Sequence, residues 1–428
     1  MIKLREYQER IAGEACALLC SHGMAYLAMQ VRTGKTITAL YTAELLRKHS
    51  LMPMHLVVFL TKKKAIESIQ NDYARLLPGY QLAVGNYEQI KVGVKWLEDA
   101  DLFILDESHG LGQFPKPAER TKLLKAIIGR KPVIYLSGTP SPETYTQLFH
   151  QFWVSARSPF PEKTFYEWSK AYVHVRQIRF SHGLVNDYKK ADEAKIMEKV
   201  GHLFIRFSQE QAGFTQLVDE EVLTVKMQER TYLVVDKLIK KRVIVNQEGE
   251  TVLADSAVKL LNKLHQLWSG SVIVDEPTKF AKVTDLTKAE FIRDRFKGQK
   301  LAIFYKFKAE AVILRAVLDR HITESPEKFQ STGPEVVFIS QIQSGREGIN
   351  LSAADALVMM NIDFSAVSYF QARARMQTKY RTEPAKLYWI FADGGIEHKI
   401  YERVKNKKDY TVRYFKTDYK LGDETTDI

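Results

Sequence analysis

The 428-residue chain is 45% hydrophobic, 27% charged and 11% aromatic, a globular balance that excludes wholesale disorder. At ~150 residues per domain the length suits roughly three domains, or two with a large insertion. No apolar run approaches the ~20 residues of a membrane span, and the start, Met1-Ile2-Lys3-Leu4-Arg5, lacks the apolar stretch of a secretory signal. Sixty-three Lys+Arg against 51 Asp+Glu leave a formal charge of +12 and a pI near 9.3, an excess that favours an anionic partner, nucleic acid foremost. Cys16 and Cys20 lie one helical turn apart, which makes neither a disulfide framework nor a zinc cluster; reduced thiols in a cytoplasmic protein are expected.

In chain order, short apolar runs at 25–29, 55–60, 102–105 and 132–136 read as buried strands, separated by segments of helical spacing such as 64–77. The pattern returns at 301–305, 335–339, 356–360 and 387–391, with helical stretches at 308–319 and 365–376. Strands alternating with helices predict parallel sheets with crossover helices. Residues 1–143 and 297–428 are therefore expected to form two α/β domains, and residues 144–296, rich in charge and aromatics, a mainly helical insertion between them. Within it, two β-branched runs around Asn246-Gln247-Glu248-Gly249-Glu250 predict a hairpin. The run Asp219-Glu220-Glu221 has no accompanying metal-ligand set and reads as a solvated loop.

Three segments carry chemistry. Thr33-Gly34-Lys35-Thr36 follows a strand and opens a helix, as the tail of a phosphate-binding loop does. The glycine lets backbone N–H groups approach phosphate, the lysine reaches the terminal phosphates and the threonine hydroxyl binds Mg²⁺. The full pattern has a glycine where this chain has Met29, so a chance Gly-Lys-Thr at a helix start stands as the alternative. Asp106-Glu107-Ser108-His109 ends another strand: Asp106 suits Mg²⁺ and Glu107 a water to be polarised, the alternative being an acidic helix cap. Ser137-Gly138-Thr139-Pro140 ends the next strand and by itself is only a hydroxyl-rich turn.

Taken in order, these segments resemble the motor core of helicase superfamily two, the DEAD/DEAH-box type, in its Swi/Snf-like branch. Leu4-Arg5-Glu6-Tyr7-Gln8 resembles the adenine-reading segment, Thr33 to Thr36 motif I, Asp106 to His109 motif II and Ser137 to Thr139 motif III. Gln343 to Asp355 closely resembles motif V, and Gln371-Ala372-Arg373-Ala374-Arg375 motif VI. The phrasing around Met29-Gln30-Val31-Arg32 is most similar to stand-alone, phage-encoded versions; a phage-encoded protein would work in a host cytoplasm.

The resemblance implies two RecA-like domains that close on ATP and Mg²⁺ and work on DNA, duplex or branched in preference to single-stranded. RNA is a weaker candidate, no membrane is involved, and a monomer is the default. Gln8, with Arg5 or Tyr7, would read adenine; Thr33, Gly34, Lys35 and Thr36 would hold phosphates, with Thr36 and Asp106 on the metal. Glu107 and His109 would serve the attacking water and its coupling, and Ser137 and Thr139 would couple hydrolysis to movement. Gly348 and Asn350, and the catalytic pair Gln371 and Arg375, would come from the second domain. Thr61, Lys62, Lys63, Tyr87, Lys306 and Ser344 are the expected nucleic-acid contacts. The family pattern has a second arginine three residues after Arg375, where this chain has Thr378; Arg373 and Arg381 are candidates to substitute.

Overall fold

Gly23, in the left-handed conformation (φ 72°) with its N–H on the Leu19 carbonyl, ends the first helix and turns the chain directly into the first strand. The computed structural model describes residues 3–49, 53–92, 95–180, 183–213, 218–342, 351–365, 368–369, 384–406 and 418–419. The chain divides into two compact units, 1–214 and 215–428.

The strands of the first unit are β1 (Met24–Met29), β2 (Leu56–Thr61), β3 (Gln81–Asn86), β4 (Leu102–Asp106), β5 (Val133–Leu136), β6 (Arg176–Phe180), β7 (Gly183–Asp187) and β8 (Phe204–Phe207). Its helices are α1 (Glu6–His22), α2 (Lys35–His49), α3 (Ile66–Leu76), α4 (Glu119–Ile128), α5 (Leu148–Trp153), α6 (Phe165–Tyr172) and α7 (Glu193–Val200). Six strands form one parallel sheet in the order β3-β2-β4-β5-β1-β8. Alternate residues feed two cores. Tyr26, Val58, Leu60, Phe103, Leu105 and Tyr135 pack on one face, and Leu27, Val57, Phe59, Ile104 and Ile134 on the other. Burial on both faces is why these strands appear in the sequence as unbroken apolar runs. β6 and β7 form a separate antiparallel ribbon.

The second unit contains β9 (Val218–Val225), β10 (Val243–Val245), β11 (Thr251–Leu253), β12 (Ser271–Val274), β13 (Phe280–Val283), β14 (Leu301–Tyr305), β15 (His321–Thr323), β16 (Val336–Gln341), β17 (Ala356–Met359) and β18 (Ala385–Ala392). Its helices are α8 (Glu229–Lys241), α9 (Ala257–Trp268), α10 (Thr287–Arg295), α11 (Lys308–Val317), α12 (Pro326–Ser331) and α13 (Ile396–Lys405). A second parallel sheet runs β15-β16-β14-β17-β18-β9. Two RecA-like parallel-sheet domains in tandem are thus present. The expected hairpin is β10–β11, its turn closed by Asn246, whose Oδ1 accepts from the N–H groups of Glu248 and Glu250.

Two expectations change. Residues 144–296 form no body of their own: the unit boundary falls inside them, and they supply β8 to one sheet and β9 to the other. The Asp219-Glu220-Glu221 run is not a loop but part of β9, paired along β18. Glu220 is held there by hydrogen bonds from the Tyr369 hydroxyl (2.8 Å), the Trp389 indole (2.8 Å) and the Tyr401 hydroxyl (3.0 Å). Of the aromatics at 166–172, Trp168 and Tyr172 are buried in the first unit's core. Among the described residues no helix is long and apolar enough to cross a membrane.

Candidate nucleotide site

In the first unit the carboxyl ends of β1, β4 and β5, neighbours in the sheet, deliver the three candidate segments. In parallel α/β sheets these ends are where ligands bind. β1 runs into the loop at residues 30–34, which bends through positive φ at Arg32 (64°) and Gly34 (87°) before α2 starts at Lys35. The Thr33 hydroxyl donates to the Gln30 carbonyl at 2.7 Å and fixes the loop from within. Thr36 lies half-buried in the first turn of α2.

The segment before α1 packs onto this loop. The Tyr7 hydroxyl donates to the Thr33 carbonyl (2.9 Å) and accepts from Arg5 Nη1 (2.9 Å), and the Tyr7 ring stacks on Phe207. Gln8 is buried, and its Oε1 accepts from the Arg5 N–H. The positive φ requires glycine at position 34, where a Cβ would also lie 2.2 Å from the end of the Gln8 side chain at Nε2. The structure therefore brings Arg5, Tyr7, Gln8, Thr33 and Gly34 together.

Lys35 reaches the turn after β5: a Cβ built on Gly138 would lie 3.6 Å from Lys35 Nζ. His109 Nδ1 lies 3.0 Å from Ser137 Oγ and 3.2 Å from Glu107 Oε2, and Ser137 Oγ also accepts from the Thr139 N–H at 3.1 Å. One nitrogen cannot serve both neighbours. The hydrogen bond goes to Ser137, and Glu107 Oε2 is left buried with an ion-pair contact but no hydrogen bond among the described residues. Thr139 Oγ1 is likewise buried without one.

The two carboxyls are pushed in opposite directions. Burial and the adjacent Glu107 charge raise Asp106, against the pull of Lys35 and Thr61. Burial acts to raise Glu107 too, but His109, Lys35 and Lys62 outweigh it and hold its carboxyl below the ordinary range. Two adjacent carboxylates, one with an orphaned oxygen, offer oxygen donors of the kind a divalent cation takes, while among the described residues no cluster of three or more His, Cys, Asp or Glu is placed to hold a metal.

Two expected nucleic-acid contacts have other positions. Thr61 is 1% exposed and its hydroxyl donates to Asp106 Oδ2 at 2.7 Å. Tyr87 is buried and its hydroxyl donates to the Asp106 carbonyl at 2.7 Å. Both therefore hold Asp106 rather than face a strand. In the second unit, Lys306 Nζ pairs with Asp363 Oδ1 at 2.8 Å and lies over the Phe364 ring. Lys62 and Lys63 are exposed. Ser344, Gly348, Asn350, Gln371 and Arg375, with Arg373, Thr378 and Arg381, lie outside the described residues.

Sequence reasoning missed a buried polar group at the carboxyl ends of β14 and β17. His265 Nε2 meets Asn361 Oδ1 at 2.5 Å, Asn361 Nδ2 donates to Glu310 Oε1 (2.8 Å), and Glu310 Oε2 accepts from the N–H groups of Lys306 and Phe307. Its members come from three distant segments, so no local pattern announces it.

Sheet order and the residues at the strand ends define a class: a tandem RecA-like chain with a candidate phosphate-binding loop. Comparison with known proteins finds similarity to SWI/SNF-related, chromodomain-helicase and DNA-repair proteins. No protein-family model matches. A Drosophila melanogaster SWI/SNF-related regulator of chromatin, subfamily A-like protein 1, is 22% identical over 365 residues, covering 79% of this chain and 45% of the relative. Human chromodomain-helicase-DNA-binding protein 1 is 26% identical over 165 residues, 38% of this chain and 9% of the relative. The Gallus gallus DNA repair and recombination protein RAD54-like is 34% identical over 83 residues, 19% and 11% of the two chains. The chain thus spans less than half the length of each of these relatives. A solved Sulfolobus solfataricus SWI2/SNF2 ATPase core in complex with dsDNA is 16% identical, with a TM-score of 0.42 over 99% of this chain and 94% of that one.

Proposed function

We propose that the chain is a DNA-dependent ATPase motor of the helicase or translocase type, coupling ATP hydrolysis to movement on, or remodelling of, duplex or branched DNA. The observation that carries this reading is the convergence of Lys35, Asp106, Glu107, His109 and Ser137 at adjacent strand ends of one sheet. The relatives are named for DNA repair, DNA binding and chromatin, which supports the choice of DNA.

In this mechanism Gln8, Tyr7 and Arg5 recognise the base, and the loop N–H groups with Lys35 hold the phosphates at the start of α2. Thr36 and Asp106 would hold Mg²⁺, which when bound neutralises phosphate charge. Glu107, kept ionised by its neighbours, orients the attacking water, and His109 reports the state of that carboxylate to Ser137 and the turn bearing Thr139. Gln371 and Arg375 complete the charge stabilisation, as their resemblance to motif VI suggests. Gly348, Asn350 and Ser344 belong to the nucleotide and DNA contacts on the same ground. Lys62 and Lys63, exposed after β2, are the phosphate-backbone contacts kept in the first unit. The loop phrasing supports a phage-encoded motor, which would act in a host cytoplasm, with a monomer as the default.

A second reading, a nucleotide-gated DNA binder with weak hydrolysis, rests on Thr378 in place of the second motif VI arginine. Steady-state ATPase at low salt decides between them, without nucleic acid and then with single-stranded, duplex and forked DNA and with RNA. The motor reading expects strong stimulation by duplex or forked DNA. Lys35→Ala should abolish turnover, and Glu107→Gln should keep ATP binding while losing about 10²-fold or more in rate. ATP-dependent DNA binding without turnover favours the gated binder, and stimulation by RNA alone removes DNA as the partner.

A further inference from the structure

Tyr26 stands in the middle of β1, fully buried, stacked on Tyr135 (ring centroids 5.5 Å) and Phe204 (4.4 Å). A tyrosine hydroxyl at such a depth needs partners, and it has two. Ser108 Oγ, from the loop after β4, donates to the Tyr26 hydroxyl at 2.8 Å, and that hydroxyl donates to Gln151 Oε1 of α5 at 2.7 Å. Gln151 Nε2 in turn donates to the Pro140 carbonyl at 2.7 Å and the Gln147 carbonyl at 3.1 Å. Ser108, Tyr26 and Gln151 are each 0% exposed. A phenylalanine would fill the same space, so the hydroxyl's contribution is the connection.

What it connects are the two segments placed at the nucleotide. Ser108 lies between Glu107 and His109, and Pro140 ends the turn that carries Ser137 and Thr139. The loops already touch on their open side through His109 and Ser137. The relay joins them a second time from beneath, anchored on the strand that leads into the phosphate loop.

We propose that Tyr26 and Gln151 are positioning residues for ATP hydrolysis, a buried relay that fixes the Glu107–His109 loop against the Ser137–Pro140 turn. The inference rests on the ATPase reading above. Neither side chain touches nucleotide; both act through the loops they tie. Chains of buried hydrogen bonds act as a unit, so breaking any link releases the whole register.

The test uses the full chain with saturating duplex DNA. Tyr26→Phe keeps the ring and its stacking and removes the link; Ser108→Ala removes it from the other end, and Ser108→Thr keeps a hydroxyl. The expected result for Tyr26→Phe and Ser108→Ala is a fall in kcat of about tenfold, the worth of one well-placed hydrogen bond in the transition state. KM and the affinity for a non-hydrolysable ATP analogue stay within about twofold. The double variant should be no worse than either single one, and Ser108→Thr should recover most of the rate. A folded Tyr26→Phe with wild-type kcat overturns the relay, as does a parallel loss of kcat and nucleotide affinity, which is what a merely structural role gives. If Tyr26→Phe does not fold, the Ser108→Ala and Ser108→Thr pair carries the same decision. A wild-type chain without turnover sinks the ATPase reading and the relay with it, whereas turnover that ignores these variants sinks the relay alone.

Discussion

Glu107 sits at φ 48°, a left-handed conformation that costs a non-glycine residue about 1 kcal/mol or more and persists only where the surroundings enforce it. Those surroundings are identifiable: Thr61 grips the Asp106 carboxylate, Tyr87 grips its carbonyl, and Ser108 is tied to Tyr26. The placement of Lys35, Asp106 and Glu107 at strand ends was legible because each follows directly on an apolar run or its short exit loop. The direction of Thr61 and Tyr87 was not, since a polar residue after a strand reads the same whether it faces solvent or a neighbouring carboxylate. The two roles predict different outcomes for Tyr87→Phe. As a support, it leaves the Asp106 carbonyl without its donor and costs roughly 1–3 kcal/mol, seen as a lower urea midpoint with an unchanged slope and unchanged DNA affinity. Weakened DNA binding at full stability would return Tyr87 to the strand-facing set.

At the scale of elements, the central strands were readable and the edge strands were not, for one reason. β2 or β14 is covered on both faces and shows as a solid apolar run, whereas β9 pairs on one side with β18 and alternates Val218, Glu220 and Val222 with Asp219 and Glu221. β8 is four residues long with an exposed arginine in it. Both strands fell within the stretch expected to be an insertion, so the domain boundary moved with them. Long-range pairs between helices were equally silent. Lys288 of α10 and Glu397 of α13 form a fully buried ion pair at 2.5 Å, their side chains 1% and 0% exposed. Such a pair is weak evidence for net stability but is costly to break from one side. Lys288→Met should destabilise the chain by about 3–5 kcal/mol in chemical unfolding, with Lys288→Met/Glu397→Leu recovering most of that loss. A single variant as stable as wild type would mean that the Glu397 charge is satisfied by another group.

For the whole molecule the +12 charge is a global property legible from composition alone, and it makes a prediction that no single contact makes. A motor that holds DNA by its phosphates releases counterions on binding, so its affinity falls linearly on a log–log plot as salt rises, by ~0.9 per phosphate neutralised. The DNA concentration that half-stimulates ATP turnover should therefore climb steeply between about 50 and 200 mM salt, while turnover without DNA responds far less. Lys63 is exposed where the chain leaves β2, so Lys63→Ala should weaken DNA of any sequence about equally and lower the salt slope by about one. If the slope is steep but Lys63→Ala leaves it intact, the phosphate track lies elsewhere on the chain. A slope near zero would make the basic excess a matter of solubility and leave the choice of DNA resting on the relatives alone.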